Sequence, residues 1–481
     1  MPNNMSIRKA TLINSAAKYY NMLCAFVVNM ILSRILTPAE YGIVAVAMVF
    51  ITFFTLFSDL GFGVAYIQNR AFTTDDRNVL FTFLTYIGAA LFVVFFFFAY
   101  GIAWFYGSRE YIPVAQLLGF NLFLTALNVI PNAELLKQQR FKTVALIRAF
   151  SATVSSVIAV VLALYDFSYF SIVLQAVINT LLLTLAFVYI TKSKFLFHIR
   201  LAPIQAVLGF SLGQLSFNFI NYFSRNLDNL LIGKILGSNA LGYYDKAYRT
   251  TTFALSGLSS IIGSSIQPVL AVHQNDKQFV YEKFQKAFLF LTIIGAYLAV
   301  AFNLAAPEII RVLYGNQWGQ SVVAFSYLAL TLFVQLPLNI TGAFFQVLNN
   351  TRLLATVGGI SAIVLVAGII AGLLFGSIEA VALGYFCGQC INFLVVLWSM
   401  EKTLFKMGFR SFFMVLGRTL LVAASSYFVI HYFFSYVSLS NVFVSLICKL
   451  TISFIVFFCI CYIMNVEKYV FAIIYPKYQR K

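Results

Sequence analysis

Two apolar stretches of the sequence each carry a row of polar side chains at the spacing of a helix face. The first row is Asn14, Lys18, Asn21, Ala25 and Asn29, and the second, two hundred residues later, is Gln214, Asn218, Asn221, Arg225 and Asn229. Intervals of three and four residues place the members of a row on one face. Amides donate and accept hydrogen bonds and cations attract anions, so each face suits a polar, anionic ligand.

Further charges lie in the neighbouring apolar stretches. Asp59 closes the second stretch, Asp228 lies beside the second polar row, and Asp245, Lys246 and Arg249 stand near the start of the following stretch. An ionised side chain at the centre of a bilayer costs about 2.5–3.5 kcal/mol on insertion scales. We therefore expect these residues to line water or to have partners inside the protein.

Several of these charges also have an ordinary structural interpretation. Lys18 can extend its ammonium group to the lipid headgroups. Asp228 can neutralise Arg225, because residues three apart are neighbours on a helix. Asp245 and Lys246 lie near a helix entrance, where water can solvate them. Both interpretations stay open. The predicted cavity residues are Lys18, Asn21, Asn29, Asn218, Asn221, Arg225, Lys246 and Arg249, and the candidate ion-coupling residues are Asp59, Asp228 and Asp245.

The composition indicates helices that cross a membrane. Of the 481 residues, 61% are hydrophobic and only 10% are charged, and the mean hydropathy is +0.90. A soluble protein has too much surface to hide so large an apolar fraction. Apolar runs of about twenty residues recur along the chain, each long enough to cross a bilayer. The sequence therefore predicts an all-α, polytopic membrane protein, without a cleavable signal because the first apolar stretch contains Lys18.

Other chemistries lack the residues that they need. Cys387 and Cys390 form a CxxC pair inside an apolar stretch, without a nearby acidic or histidine partner. The three histidines are scattered, so no metal site is expected. There is no Walker A motif and no catalytic triad or carboxylate pair on a sizeable loop. We expect no cofactor and no enzyme activity, and we attribute the net charge of +17 to cytoplasmic loops rather than to nucleic-acid binding.

Fourteen membrane spans are predicted, joined by short connections. The connections and tails carry 21 basic residues on one side of the membrane and 4 on the other. Because positive charge is retained in the cytoplasm, both termini are predicted to be cytoplasmic. The predicted spans are 11–33, 41–63, 79–105, 112–131, 143–165, 168–190, 208–233, 240–270, 286–306, 320–342, 353–375, 379–400, 410–431 and 441–464.

The sequence repeats a corner at an offset of 200 residues. "RILTPAEYG", which starts at Arg34, corresponds to "KILGSNALG", which starts at Lys234. Six spans separate the copies, so both halves enter the membrane in the same direction. We predict two pseudo-symmetric six-helix lobes, 1–200 and 201–402. A polar row that faced lipid would leave amides unpartnered, so we expect both rows to face a shared aqueous cavity between the lobes.

Two regions resemble signatures of a transporter family. "SRILTPAEYGIVAVAMVF" followed by "FSDLGFGVAYIQNR" resembles the start of bacterial polysaccharide exporters of the Wzx flippase type, and "RNLDNLLIGKILGSNALGYYDKAYR" resembles their middle region. These exporters belong to the multidrug/oligosaccharidyl-lipid/polysaccharide exporter superfamily. The pattern is most similar to the branch that exports colanic-acid-like or teichuronic-acid-like repeat units. The two regions cover 33–70 and 225–249.

The resemblance implies a fold and a function. The fold is a V-shaped pair of six-helix lobes, with two further helices and a cytoplasmic tail in 403–481. The function is movement of undecaprenyl-pyrophosphate-linked oligosaccharide across the bacterial inner membrane by alternating access, for O-antigen lipopolysaccharide or another surface polysaccharide. Membrane lipids and the polysaccharide polymerase machinery are the implied partners. In related lipid flippases, cations of the first and eighth helices line the cavity, and Lys18, Lys246 and Arg249 occupy comparable helices here.

Two other functions are compatible with a polytopic membrane protein. A cation-coupled multidrug exporter of the same superfamily usually needs buried carboxylates in its first and seventh spans. Here the first row has Lys18 and no acid, and the second has Asp228 beside Arg225. A membrane glycosyltransferase or polymerase is expected to carry catalytic groups on a large outer loop, and the outer loops here are only a few residues long. The charge pattern therefore favours an anionic substrate.

Overall fold

The protein is helical throughout the residues that its structure describes. A computed structural model describes 7–59, 61–69, 71–196, 200–205, 222, 226–271, 273–406, 410–437 and 439–466. Every regular element in these ranges is a helix, so the predicted all-α class is confirmed. The helices form two compact units, and the division between them falls at Gly242 and Tyr243.

The first unit is organised around one central helix. Helix α5 packs against α2, α4 and α7, and α1 packs against α6. Helix α9 contains the division between the units. In chain order the helices are α1 (Ile7–Ile35), α2 (Pro38–Asp59), α3 (Phe62–Gln68), α4 (Thr74–Tyr106), α5 (Tyr111–Lys137), α6 (Phe141–Leu164), α7 (Phe170–Thr191), the described end of α8 (226–235) and α9 (Gly237–Ala271).

Local sequence signals determine where helices begin. At α4, the hydroxyl of Thr73 accepts a hydrogen bond from the backbone N–H of Asp76, and the Asp76 carboxylate accepts one from the backbone N–H of Thr73. This reciprocal capping satisfies two donors that a helix start leaves unpaired. At α2, Pro38 occupies the first helical position, where its missing N–H is harmless. The Glu40 carboxylate accepts the backbone N–H of Thr37 at 2.6 Å.

The repeated corner brings two backbones into close contact. One copy joins α1 to α2 and the other joins α8 to α9. Gly42 of the first copy lies against the backbone carbonyl of Ser238, and Gly242 of the second lies against that of Pro38. A Cβ atom at either glycine would overlap the facing carbonyl. The contact is therefore reciprocal at the 200-residue offset, and glycine permits the approach at both positions.

The corner contact contributes to the division of the chain into two compact units. Residues 226–242 belong to the first compact unit, together with the helices that precede them. Their backbone contact with the start of α2 is one physical reason for this membership. The three-part division into 1–200, 201–402 and 403–481 stays a prediction.

The second unit is also organised around one helix. Helix α10 packs against α12, α13, α16 and α17. Its Phe284 and Phe288 are fully buried together with Phe344 of α13. The helices are α10 (Lys277–Leu304), α11 (Ala306–Tyr314), α12 (Ser321–Leu330), α13 (Leu332–Val347), α14 (Thr351–Leu373), α15 (Ile378–Trp398), which continues as a π-helical turn over Ser399–Phe405, α16 (Arg410–Tyr436) and α17 (Val442–Ile463).

Small residues let α14 and α15 pack backbone to backbone. Gly368 of α14 faces Gly384 of α15, and Gly372 of α14 faces Ala380 of α15. Within each helix the two small residues are four positions apart. A Cβ atom at Gly368 or Gly384 would overlap the backbone carbonyl of the other. In lipid, where the hydrophobic effect does not hold helices together, this close van der Waals contact does.

The helices confirm a polytopic membrane protein. Among the described residues, ten helices are long and apolar enough to cross a membrane, or eleven if the bent pair α12 and α13 is one span. The long helices α1 and α9, which carry predicted cavity residues, are not among the ten. Most of the predicted span 208–233 lies outside the described residues. The total of fourteen spans therefore stays a prediction.

A break in one predicted span and two short helices differ from the predicted arrangement of spans. The predicted span 320–342 is broken at Thr331, where the helix axis bends by 50°. The Thr331 hydroxyl donates to the carbonyl of Leu328 and accepts from Gln335 Nε2, while Pro337 lacks a backbone N–H. These features compete with regular helical hydrogen bonds around the break. The short helices α3 and α11 lie where the sequence predicts connections.

Alanine at Gly42 or Gly242 is expected to destabilise the protein by about 1–3 kcal/mol, the usual cost of overpacking. The added methyl group must displace a carbonyl, which outweighs the roughly 1 kcal/mol by which alanine favours a helix over glycine. Thermal unfolding in detergent measures the change. Gly101→Ala is the matched control, because its nearest neighbour would be the Phe98 ring at 3.9 Å. Equal stability of all three variants would contradict the close approach.

Candidate functional site

The polar row of α1 is partly buried in the first unit. Lys18 is exposed, whereas Asn21 and Asn29 are half-buried. The Asn21 Oδ1 atom is itself buried and accepts no hydrogen bond from the described residues. Asn29 Oδ1 accepts a hydrogen bond from the hydroxyl of Ser33 at 3.2 Å. Asn29 therefore stabilises the end of α1, while Asn21 presents an acceptor that a water molecule or a ligand hydroxyl can satisfy.

Most of the second polar row lies outside the described residues. This applies to Asn218, Asn221 and Arg225, whose contribution to a cavity stays a prediction. The described end of the row is in α8. Asp228 is buried there, and its Oδ1 accepts the backbone N–H of Asn229 at 2.8 Å. Asn229 Oδ1 is also buried, without a hydrogen-bond donor among the described residues, so it is a second available acceptor.

Lys246 is enclosed by aromatic rings in the second unit. Its side chain is fully buried. The Nζ atom lies 4.9 Å from the ring centre of Tyr314 and 5.1 Å from that of Trp318. The negative face of an aromatic ring attracts an ammonium group, by about 2 kcal/mol or more when the pair is desolvated. Tyr314 ends α11, and Trp318 lies in the 3-10 turn Asn316–Trp318 that follows.

A carboxylate and a guanidinium group flank Lys246 on α9. The Nε atom of Arg249 donates to Asp245 Oδ2 at 2.6 Å, across one helical turn. Asp245 is buried, whereas 53% of the Arg249 side chain is exposed. Two basic side chains and one carboxylate therefore occupy adjoining positions, and this turn of α9, the charged turn, has a positive formal charge when all three side chains are ionised. The geometry brings together Lys246 and Arg249 from the predicted cavity residues and Asp245 from the predicted coupling residues.

Tyrosines surround the charged turn. Tyr248 stacks on Tyr244 at 6.2 Å between ring centres and meets Tyr385 of α15 edge to face at 6.0 Å. The hydroxyls of Thr250 and Tyr314 share a hydrogen bond of 2.8 Å. Burial raises the pKa of the Tyr314 phenol, which therefore stays neutral. The sequence alone does not reveal this shell: "YYDKAYR" contains Tyr244 and Tyr248, but the tyrosines of α11 and α15 meet this turn only in the fold.

Asp59 and the lysine of the second corner have local partners. Asp59 Oδ1 accepts the backbone N–H of Gly63 in α3 at 3.4 Å. Lys234 donates from Nζ to the carbonyl of Phe105 and lies 4.6 Å from the centre of its ring. Within the described ranges, no group of three or more His, Cys, Asp or Glu side chains could hold a metal ion. Ion coupling through Asp59 and the other two predicted carboxylates stays a prediction.

The fold is shared with helical membrane proteins of known structure. The structure is similar to that of lipid II flippase MurJ in an inward closed conformation, with a TM-score of 0.72 and 16% identity over 95% of this chain and 99% of that chain. It is also similar to an inward-facing multidrug resistance transporter of the MATE family, with a TM-score of 0.61 and 15% identity over 79% of this chain and 93% of that chain. Both similarities concern the fold alone.

The sequence itself assigns the chain to a family. Residues 31–323 match the family described as polysaccharide biosynthesis protein, and the chain belongs to that family. One relative is the teichuronic acid biosynthesis protein TuaB of Bacillus subtilis, 23% identical over 423 residues, which cover 86% of this chain and 87% of the relative. The resemblance to polysaccharide exporters, drawn from the two signature regions, is thereby confirmed.

Replacing Arg249 with alanine is expected to lower stability by about 1.5–3 kcal/mol, the usual contribution of a hydrogen bond to a charged group. The change leaves the buried Asp245 carboxylate without its 2.6 Å donor. Thermal unfolding in detergent measures the loss, and Arg249→Lys should recover part of it. The matched control is Arg418→Ala, since Arg418 is an exposed arginine of α16. The ion pair would be shown to be unimportant if both alanine variants unfolded at the parental temperature.

Proposed function

We propose that the protein is a flippase that moves undecaprenyl-pyrophosphate-linked oligosaccharide repeat units across the bacterial cytoplasmic membrane. The observation that carries the proposal is the charged turn of α9, where Lys246 and Arg249 outnumber Asp245. A diphosphate that leaves water for an apolar interior loses its hydration, which is very costly without counter-charge. A site of net positive charge inside a helical membrane protein lowers that cost.

The polar rows suit the sugar part of the same molecule. Amides donate and accept hydrogen bonds, so they match the hydroxyl groups of a sugar. The buried, available acceptor of Asn21 supports this role in the first row. We assign sugar contacts to Asn21 and Asn221, and attraction of the pyrophosphate to four cations. These cations are Lys18, Arg225, Lys246 and Arg249.

The comparisons support a lipid-linked saccharide as the substrate. The relative TuaB is named for the biosynthesis of teichuronic acid, and the similar structure of MurJ is that of a lipid II flippase. The family of this chain is described by polysaccharide biosynthesis. A saccharide precursor on a polyprenyl pyrophosphate carrier agrees with all three and with the positive charge on α9.

The transport cycle is proposed to be alternating access by the two predicted lobes. The excess of basic residues in alternate connections supports a cytoplasmic location for both termini. The polysaccharide polymerase machinery is the proposed recipient of the transported repeat unit. Coupling to an ion is assigned to Asp59, Asp228 or Asp245.

The second candidate function is a cation-coupled multidrug exporter. The similarity to the MATE-family transporter is the observation that favours it. A cationic drug requires uncompensated negative charge in its site. Asp245 instead pairs with Arg249, and Asp228 already accepts a backbone hydrogen bond. The described charges therefore favour the anionic substrate. A drug-susceptibility assay on cells with and without the protein separates the two functions.

Replacing Lys246 with glutamine in the bacterium that makes the protein is expected to abolish surface polysaccharide while the protein remains in the membrane. The variant removes a cation from the charged turn and keeps a side chain that can form hydrogen bonds. Arg225→Ala is expected to have the same effect. Polysaccharide on the cell surface and protein in isolated membranes are measured together.

Lys234→Gln is the matched control for this experiment. Lys234 is an exposed lysine of the first unit that binds the carbonyl of Phe105, so export should continue. Normal polysaccharide in both Lys246→Gln and Arg225→Ala would contradict the proposed function. Increased drug susceptibility of cells that lack the protein would favour the multidrug exporter.

A further inference from the structure

Helix α11 connects the lysine site with the last helix of the second unit. It is nine residues long, with Glu308 in its first turn and Tyr314 at its last position. Tyr314 lies over the ammonium group of Lys246. At the opposite end, α11 packs against α17 through Glu308. One short helix therefore contacts both the charged turn of α9 and the C-terminal helix.

A buried ion pair joins α11 to α17. Lys449 Nζ lies 2.6 Å from Glu308 Oε1, and Ser445 Oγ donates to the same oxygen at 3.1 Å. Lys449 Nζ also donates to the carbonyl of Leu304 at 3.2 Å, and it lies 5.7 Å from the ring centre of Phe434 on α16. The two charged side chains are only 16% and 14% exposed. Separating them would leave two desolvated charges without their partner, so the pair fixes the start of α11.

The end of α11 and the turn after it are attached to α9 at three points. Tyr314 shares its hydrogen bond with Thr250, and the Trp318 ring meets Tyr243 edge to face at 5.9 Å. The hydroxyl of Ser321 donates to the carbonyl of Tyr243 at 2.8 Å. These contacts lie on both sides of Lys246 along α9. They are polar or aromatic contacts made by side chains of α11, the 3-10 turn and the first residue of α12, and such contacts can break without unfolding α9.

Gly315 gives this segment a place to turn. It separates Tyr314 from the 3-10 turn that carries Trp318, and its φ of 97° lies in the region that glycine adopts readily. The two aromatic rings over Lys246 therefore come from two short elements joined at a glycine. Helix α11 attaches this segment to the rest of the unit on one side, and α12, which begins at Ser321, attaches it on the other.

We propose that Tyr314 and Trp318 form a lid that withholds Lys246 from the anionic headgroup, and that the Glu308–Lys449 ion pair holds the lid in place. The proposal rests on the proposed function, because it takes Lys246 to be a headgroup-binding cation. Glu308 and Lys449 are positioning residues, since they act through α11 and not on the substrate. The C-terminal helix α17 thereby controls when the lysine is available.

The lid has a direct spectroscopic probe, because Trp318, one of its two rings, is fully buried. The chain has two other tryptophans, and replacing them as Trp104→Phe and Trp398→Phe leaves Trp318 as the only one. In the purified full-length protein, acrylamide should quench Trp318 weakly. Lys449→Met should raise the quenching constant several-fold, because α11 loses the ion pair that holds it to α17. Lys449→Arg, which keeps the charge, should leave quenching low.

Two further variants make the result specific. Glu308→Gln keeps the size of the side chain and removes its charge, so it should expose Trp318 as Lys449→Met does, and it replaces that variant if the latter does not fold. Glu134→Gln is the matched control, because Glu134 is a poorly exposed carboxylate paired with Arg77 in the first unit. It should leave the quenching of Trp318 unchanged. Parental quenching in both Lys449→Met and Glu308→Gln would overturn the lid.

Failure of the lid and failure of the proposed function give different results. The quenching measurement needs no substrate and reports only the position of the aromatic segment. Parental quenching in the ion-pair variants, combined with loss of export in Lys246→Gln, would remove the lid and leave the flippase. Strong quenching in the ion-pair variants, combined with normal export in Lys246→Gln and Arg225→Ala, would overturn the proposed function and with it the role of the lid in headgroup binding.

Discussion

An ammonium group can lie in an apolar interior only if other groups replace its hydration, and the second unit depends on how it meets this constraint at Lys246. Two aromatic faces take the place of part of the lost water. The adjacent carboxylate of Asp245 is bonded to Arg249, so the charged turn stays positive as a whole. A cation held in this way is protected from lipid and remains available to an anion that can displace the rings. Positive charge held in this way supports the proposed role of a flippase for a phosphorylated lipid.

A second constraint, close backbone contact, organises the first unit around the repeated corner. Gly42 and Gly242 each face a carbonyl from the other copy, so the two copies of one sequence pattern support each other. The repeat at an offset of 200 residues therefore corresponds to a reciprocal backbone contact in the structure.

The sequence predicts best what local signals determine. Helix α4 lies close to the predicted span 79–105, because a capping box begins it and Gly107 ends it. The break at Thr331 was not predictable from hydropathy, since the residues on both sides of it are equally apolar. Charges inside apolar stretches are recognisable in the sequence, because each is an exception to its surroundings. The proposed lid is not recognisable there, because Thr250 and Tyr314 are 64 residues apart and the nine residues of α11 fit a connection as well as a helix.

The central claim is that the charged turn of α9 recognises a diphosphate on a lipid, and native mass spectrometry of the purified protein tests it most directly. The protein is offered equal amounts of undecaprenyl pyrophosphate and the uncharged undecaprenol. The account predicts that the protein retains the pyrophosphate lipid preferentially, and that a double variant, Lys246→Gln with Arg249→Gln, loses this preference while still binding both lipids through their chains. An unchanged preference in the double variant would contradict the account.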